Sequence, residues 1–348
     1  MVRIRKILFR HIRRPLKTTF ATALGRKDEI HSIIVRAILE DGKAGEGEIP
    51  TSFAFREESI PAITGVLQRI IPGIRGTCIA DYPSLIRELR LRYPSFTMTL
   101  SGLEVALFRA SLGSNGLEEF TFWGGRERSC RTDITVPFTN DLERTQRWVK
   151  RAAGIGFTEF KVKTSGNREA DIAYLDWIYR ILKPNGDFRI RLDGNQGYRK
   201  DVFLKFMDDC RSRNLPIEMV EQPLPKDDYE GHRQIRKNLA IPIILDESVR
   251  SMEDFKRVSK EECCDGVNIK IAKSGITESK QIMEAARACG MKLMIGCMTE
   301  TMLGLSTAIY LAAGAGGFDY IDLDSVYFLF HSAGYRNIEM KGPEIRIL

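Results

Sequence analysis

Nowhere in the 348 residues do apolar side chains run for the roughly 20 positions that a membrane-crossing helix requires, so no membrane partner is expected. The opening residues, Met1 to Leu8, alternate basic and apolar and lack the long apolar segment of a secretory signal. The seven cysteines, Cys78, Cys130, Cys210, Cys263, Cys264, Cys289 and Cys297, include no Cys-x-x-Cys pair. Their odd number fits a reducing cytoplasm better than a disulfide framework, which predicts a cytoplasmic protein. A net charge of +7 raises the question of nucleic acid. The basic residues Arg10, His11, Arg13, Arg14 and Lys17, however, sit in one segment with little aromatic interleaving, and no nucleic-acid module accompanies them. A solvated basic face is the expectation, with no nucleic-acid partner. Also missing is a Gly-rich phosphate turn after any candidate strand, which weighs against a doubly wound nucleotide-binding sheet.

What the chain does have, at 43% apolar and 28% charged residues, is enough material for one large core or two domains. Residues 1–125 read as a mixed α+β unit. A strand over residues 32–39 runs into Asp41-Gly42, a strong hairpin signal, and a helical pattern over residues 100–112 can end at Gly113 or Gly116. Residues 15–30 form a polar connection between the first two strands, and residues 50–55 another exposed loop. From residue 132 the rhythm becomes strand, loop, helix, repeated. Candidate strands lie at 132–136, 158–163, 188–193, 217–221, 242–247, 266–271, 292–296 and 320–323, evenly spaced by one β/α unit. Eight such strands predict an α/β protein with a closed parallel barrel over residues 126–324, followed by a tail at 325–348.

In such a barrel the functional groups lie at the C-terminal ends of the strands, and here those ends are ionic. In Phe160-Lys161-Val162-Lys163-Thr164, alternation puts both ammonium groups on one face. The like charge is expected to tune Lys163 toward a neutral amine able to take a proton from carbon. The next three strands deliver Asp193, Glu221 and Asp246, whose convergence calls for a cation. An oxygen-only set with room for water and substrate suits Mg²⁺ better than Zn²⁺. The sixth strand carries Asn268 and Lys270. Being four strands away from Lys163 in a ring of eight, Lys270 is expected to face it across the barrel mouth. A substrate carboxylate on the metal would then have its α-carbon between two amines, the arrangement for a 1,1-proton transfer through a metal-stabilised enediolate. On the last strand, alternation in Asp322-Leu323-Asp324 makes a two-carboxylate receptor for a cation such as an α-ammonium group.

Taken together, Lys161-Val162-Lys163, Asp193-Gly194-Asn195, Glu221-Gln222-Pro223, Asp246-Glu247-Ser248 and the run from Asn268 to Gly275 resemble the motifs of the enolase superfamily, muconate-lactonizing-enzyme subgroup. Lysine bases working with Mg²⁺ on an ene-diolate are general in that superfamily, so this chemistry belongs to the family rather than to this sequence. The resemblance implies a modified TIM barrel, (β/α)7β, with an N-terminal α+β capping domain completed by the C-terminal tail, and specificity loops at residues 15–30 and 50–60. It implies one Mg²⁺ per subunit on Asp193, Glu221 and Asp246, with Asn195 and Asn268 behind them, and acid–base roles for Lys163 and Lys270. Thr135, Lys161, Cys297 and Thr299 match positions that line the substrate. Asp322 and Asp324 match the Asp-x-Asp by which dipeptide epimerases hold the substrate ammonium, so a dipeptide epimerase is the leading expectation and a dipeptide its small-molecule partner. N-acylamino-acid racemisation and o-succinylbenzoate synthesis remain as alternatives within the subgroup, and a non-catalytic binding barrel outside it. Gly25 stands where the alanyl-glutamate epimerases carry an arginine. Phe53 and Phe55 point to an apolar substrate side chain, Asp28 and Glu29 to a cationic one. Homo-oligomerisation is left open.

Overall fold

The N-terminal strands are longer than their sequence suggests. In the computed structural model, which describes residues 1–139, 141–330 and 334–348, β1 (Ile4–Thr22), β2 (Gly25–Leu39) and β3 (Ala44–Pro50) form one antiparallel sheet. Residues 15–30, read above as a connection, are strand on both sides of a turn at Ala23-Leu24: Phe20 pairs with Lys27, Ala21 with Arg26 and Thr22 with Gly25. A register shift separates this tip from the rest of the ladder, starting at Pro15, which has no N–H to donate. Behind the sheet lie α1 (Ile60–Ile74), α2 (Tyr82–Arg92) and α3 (Thr97–Ser114). Helix α3 is buried on nearly every face, as its apolar sequence requires, because it lies between β3 and the barrel helix that follows Lys270.

A short helix, α4 (Glu119–Phe122), and β4 (Ser129–Arg131) lead into the barrel. Its strands are β5 (Ile134–Val136), β6 (Glu159–Lys163), β7 (Arg189–Asp193), β8 (Ile217–Glu221), β9 (Ile243–Leu245), β10 (Gly266–Ile269), β11 (Lys292–Gly296) and β12 (Tyr320–Asp322). They hydrogen-bond in chain order and in parallel. The ring is brought near closure by Asp133 N–H donating to Ile321 O at 3.0 Å and Leu323 N–H to Thr132 Oγ1 at 2.7 Å. The strands alternate with α5 (Leu142–Gly154), α6 (Arg168–Leu182), α7 (Lys200–Ser212), α8 (Tyr229–Asn238), α9 (Met252–Lys260), α10 (Ile271–Ala288) and α11 (Met302–Ala315). After β12 the described residues carry a 3-10 turn over Ser325–Phe328 in place of an eighth barrel helix, so the architecture is (β/α)7β. In the tail, Leu329 bridges Leu16 of β1, and a hairpin of β13 (Ile338–Lys341) and β14 (Glu344–Ile347) adds to β4.

Alternation then decides what fills the barrel. Met219, Ile244, Met294 and Tyr320 form a plug of inward-facing side chains, each two residues before a strand-end position. That plug gives the polar layer above it a dry floor. Strand β9 stops at Leu245, earlier than the sequence suggests, because a side chain takes over from the ladder: Gln222 Oε1 accepts from Asp246 N–H at 2.9 Å and Ser248 N–H at 3.1 Å. Among the described residues no helix is long and apolar enough to cross a membrane.

Candidate active site

Side chains from several strand ends meet in one cavity beneath the β1–β2 hairpin, lined by Thr135, Lys161, Lys163, Lys270, Asp322 and Asp324 among others. Cys297 and Thr299, after β11, also line it, as do Asn195 and Asp246. Asp193 and Glu221 are fully buried beside it. Lys161 Nζ lies 2.6 Å from Glu221 Oε2, 2.6 Å from Asp322 Oδ2 and 3.0 Å from Asp193 Oδ2. Burial alone would push this ammonium down, but the carboxylates of Asp322, Glu221, Asp193 and Asp133 outweigh it and hold Lys161 well above the usual lysine range. Lys161 is therefore neutralised by acids, and Lys163 rests 2.5 Å from Asp193 Oδ2. Asp193 Oδ2 therefore stands between the two ammonium groups that alternation sets side by side.

On the opposite side, Lys270 Nζ is 2.7 Å from Asp246 Oδ2 and 3.8 Å from Glu221 Oε1. Burial again opposes its charge, and Asp246 and Glu221 overcome that to raise its pKa. Lys273, in the same motif but given no role by the sequence, has its Nζ 2.6 Å from Asp246 Oδ1 and also bonded to the Asp246 carbonyl. Asp246 resists protonation accordingly: burial pushes it up, while Lys270 and Lys273 together pull it far below the usual carboxylate range. Asp193 is drawn to about 2 against the same burial by Lys163, Lys161 and Lys270. Glu221 is raised, by burial first and by Asp193 second. Asn268 Nδ2 donates to Glu221 Oε1 at 2.8 Å, and Asn195 N–H to Asp193 Oδ1 at 3.0 Å. Asn268 thus meets Glu221 through its side chain, whereas Asn195 meets Asp193 through its backbone and its side chain donates to Glu247 Oε1 at 3.4 Å.

Three carboxylates from successive strands are the kind of oxygen donors that suit a hard divalent cation. Lys161 sits between Asp193 and Glu221, and Lys270 on Asp246, so ammonium groups now balance these acids. Even so, Glu247 Oε2, in the wall of the same cavity, is buried and accepts no hydrogen bond. Carboxylate oxygens in surplus of donors are what a Mg²⁺-type ion uses. Among the described residues, the acidic or thiol side chains whose donor atoms all lie within 4.8 Å of one another are a different set, Cys297, Asp322 and Asp324.

That second cluster is short of positive charge. Asp322 Oδ2 is paired with Lys161, but its Oδ1 is buried without a partner. Asp324 Oδ2 accepts the Thr135 N–H at 2.5 Å, and burial together with the Asp322 charge still pushes its carboxyl up to about 7. A ligand ammonium would supply what both lack.

Several participants escaped sequence reasoning. Glu247, quoted within a motif, is buried in the cavity wall, and burial with Asp246 and Asp193 pushes it to about 8. Asp133 and Arg191 form a buried pair at 2.9 Å one layer below the site. Their signal was in reach, because each lies two residues before a site residue and must share its inward face. Phe20 and Lys27, from the hairpin tip, complete the cavity from above.

The model of the enolase C-terminal domain-like family matches residues 143–345. The chain is 31% identical to the aromatic dipeptide epimerase of Herpetosiphon aurantiacus, over 90% of this chain and 88% of that protein. It is 29% identical to the hydrophobic dipeptide epimerase of Citrifermentans bemidjiense, over 91% and 88% respectively. Its fold is similar to that of a dipeptide epimerase from Enterococcus faecalis complexed with Mg and L-Leu-L-Tyr, with a TM-score of 0.90 at 26% identity, covering 99% of this chain and 97% of that one. On these likenesses the chain is an isomerase of the epimerase kind. It belongs to the enolase superfamily, through the enolase C-terminal domain-like family.

Proposed function

We propose that this protein is a Mg²⁺-dependent dipeptide epimerase that inverts the α-carbon of the C-terminal residue. The observation that carries the reading is that Lys163 on β6 and Lys270 after β10 come from strands four apart in an eight-stranded ring and line one cavity. An amine on each side of an α-carbon permits a 1,1-proton transfer: one lysine takes the α-proton as a neutral amine, and the other, as ammonium, returns a proton to the opposite face. Running the reaction backwards exchanges the two roles. Asp193 and Asp246, at 2.5 Å and 2.7 Å, orient the two side chains.

Asp193, Glu221 and Asp246 would hold the Mg²⁺, with Asn195 and Asn268 fixing their orientation. When bound, the ion supplies positive charge where negative charge develops on the substrate carboxylate as the α-proton leaves. Asp322 and Asp324 receive the α-ammonium of the N-terminal residue, which is why a free dipeptide suits the site better than an N-acylated amino acid. Thr135 holds Asp324 in place through its N–H, and Cys297 and Thr299 line the remaining wall. The relatives named for dipeptides are consistent with this polarity.

Incubation with a dipeptide library in D₂O tests the reading by mass shift. The wild-type protein is expected to place deuterium at the C-terminal residue's α-carbon in both epimers. Lys163→Ala and Lys270→Ala should each lose about a hundredfold to ten-thousandfold in epimerisation, the usual worth of a positioned general acid or base, while retaining exchange from one face longer than the other. Exchange of an N-succinyl amino acid when no dipeptide exchanges would overturn the roles of Asp322 and Asp324.

A further inference from the structure

A second cavity, of about 100 Å³, opens between β1 and α5, apart from the reacting groups. Its walls are apolar, formed by Ile134 of β5, Trp148 and Ala152 of α5, and Phe157 ahead of β6. Two cations, Lys17 of β1 and Arg151 of α5, line it as well, and no acid does. Lys17 is half-buried and Arg151 exposed, whereas Ile134, Ala152 and Phe157 are buried, so the charge lies toward solvent with the apolar wall behind it. Lys17 Nζ donates to Tyr327 O at 3.1 Å, which engages one of its three N–H groups. Burial first, and then the Arg151 charge, pulls the Lys17 ammonium down, with no acid to set against them. The other arginines of α5 are engaged: Arg147 lies 3.6 Å from Glu143, and Arg144 donates to Lys17 O. Among the described residues neither Lys17 nor Arg151 is paired with a carboxylate.

Two like charges brought to one apolar cavity raise each other's cost unless an anion joins them. The volume limits what that anion carries. A dry cavity of roughly 150 Å³ takes a benzene ring, so one of about 100 Å³ suits a short branched alkyl group better than an aromatic one. We propose that this cavity is a second binding site, for a small branched aliphatic monocarboxylate. The alkyl group packs against Ile134, Ala152, Phe157 and the Trp148 indole, and the carboxylate meets Lys17 and Arg151. An inorganic anion would satisfy the two cations and leave the apolar walls bare, and a neutral alkyl compound would do the reverse. The inference does not depend on the reaction proposed above.

Trp148 reports occupancy. Its Nε1 donates to Thr135 O at 3.0 Å, and its ring centroid lies 4.8 Å from that of Phe328, which lines the active-site cavity. In ¹⁵N-labelled protein the three tryptophans give three indole N–H signals, and Trp148→Phe identifies the one to follow. Isovalerate should shift that signal saturably in the millimolar range, as suits a ligand of so few atoms. Isovaleramide, of the same shape without the charge, should bind about tenfold or more weakly, the range of hydrogen bonds to a charged group. Arg151→Met, at an exposed position, should weaken isovalerate severalfold and leave the amide unchanged, and adding Lys17→Met should erase the difference between them. Equal binding of acid and amide by the wild-type protein, an equal shift with inorganic phosphate, or no saturable shift with isovalerate would each overturn the inference. A carboxylate held by Lys163 and Lys270 instead would move the same signal through Phe328, but that shift would survive both substitutions and would count against the second site.

Discussion

At Asp324, burial and the neighbouring Asp322 charge push in the same direction and raise the carboxyl to about 7, against the Thr135 N–H that favours its anion. The consequence is a pH dependence whose sign is fixed by the ligand. Only the ionised carboxylate attracts an α-ammonium group, so kcat/KM for a dipeptide should climb as pH rises through about 7 and level off above it. Asp324→Asn keeps the shape and removes the charge. It should flatten that acid limb and raise KM about tenfold, the lower end of what a hydrogen bond to a charged group contributes. Initial rates from pH 5.5 to 8.5, roughly the range in which such a group titrates, would show it. A limb that persists unchanged in Asp324→Asn would assign it to another group, for which Glu247, raised to about 8, is the nearest candidate in the same cavity.

Element by element, the positions of the two lysines differ in what supports them. Lys163 sits on a paired strand, whereas Lys270 lies just past β10, and α10 begins at once and kinks at Gly275, where φ is +73°. The kink exposes a second helix start, and it is α3 that caps it: Glu104 Oε1 accepts from Thr277 N–H at 2.9 Å and Thr277 Oγ1 at 2.5 Å. Arg90 closes the arrangement, donating to Ser274 O at 2.7 Å and lying 3.3 Å from Glu104 Oε2. Glu104→Ala should cost about 2–4 kcal/mol in urea unfolding, between a lost cap and a broken buried pair. It should also speed hydrogen exchange at the Thr277 amide more than at helices distant from α3. This cap also marks where sequence reading stops. The strand ends with Asp193, Glu221 and Lys270, and the helical pattern over residues 100–112, were legible because alternation and helical spacing are local. Glu104 was not, since its partner is far along the chain. The hairpin tip around Phe20 and Lys27 was missed for another reason: neither of its faces is buried, so no apolar alternation announces a strand.

For the whole molecule, the chemistry proposed here requires the hairpin tip to stay registered over strand ends that belong to a separate hydrophobic core. Arg109 is where the two units are tied most densely. It is 4% exposed, and its guanidinium donates to Glu119 Oε2 at 2.9 Å, Glu46 O at 2.9 Å, Leu303 O at 3.1 Å, Ser306 Oγ at 2.6 Å and Thr307 Oγ1 at 2.8 Å. One side chain of α3 thus spans β3, α4 and α11. A planar fork with five donors can do this and an ammonium cannot, so Arg109→Lys should behave like a loss rather than a conservative change. Arg109→Met leaves Glu119 buried and uncompensated, and should cost about 3–5 kcal/mol. If that charge is the main penalty, the double variant Arg109→Met with Glu119→Leu should recover much of the loss, because a buried ion pair is replaceable by apolar volume whereas half of one is not. It should not restore the link between the units. Tryptophan fluorescence reports the barrel side through Trp123, Trp148 and Trp177, and far-UV circular dichroism reports both units. The two unfolding curves should coincide for the wild-type protein and separate for the double variant despite its recovered midpoint. Coincident curves in both would mean that packing between α3 and α10, rather than the Arg109 network, makes the two units unfold as one.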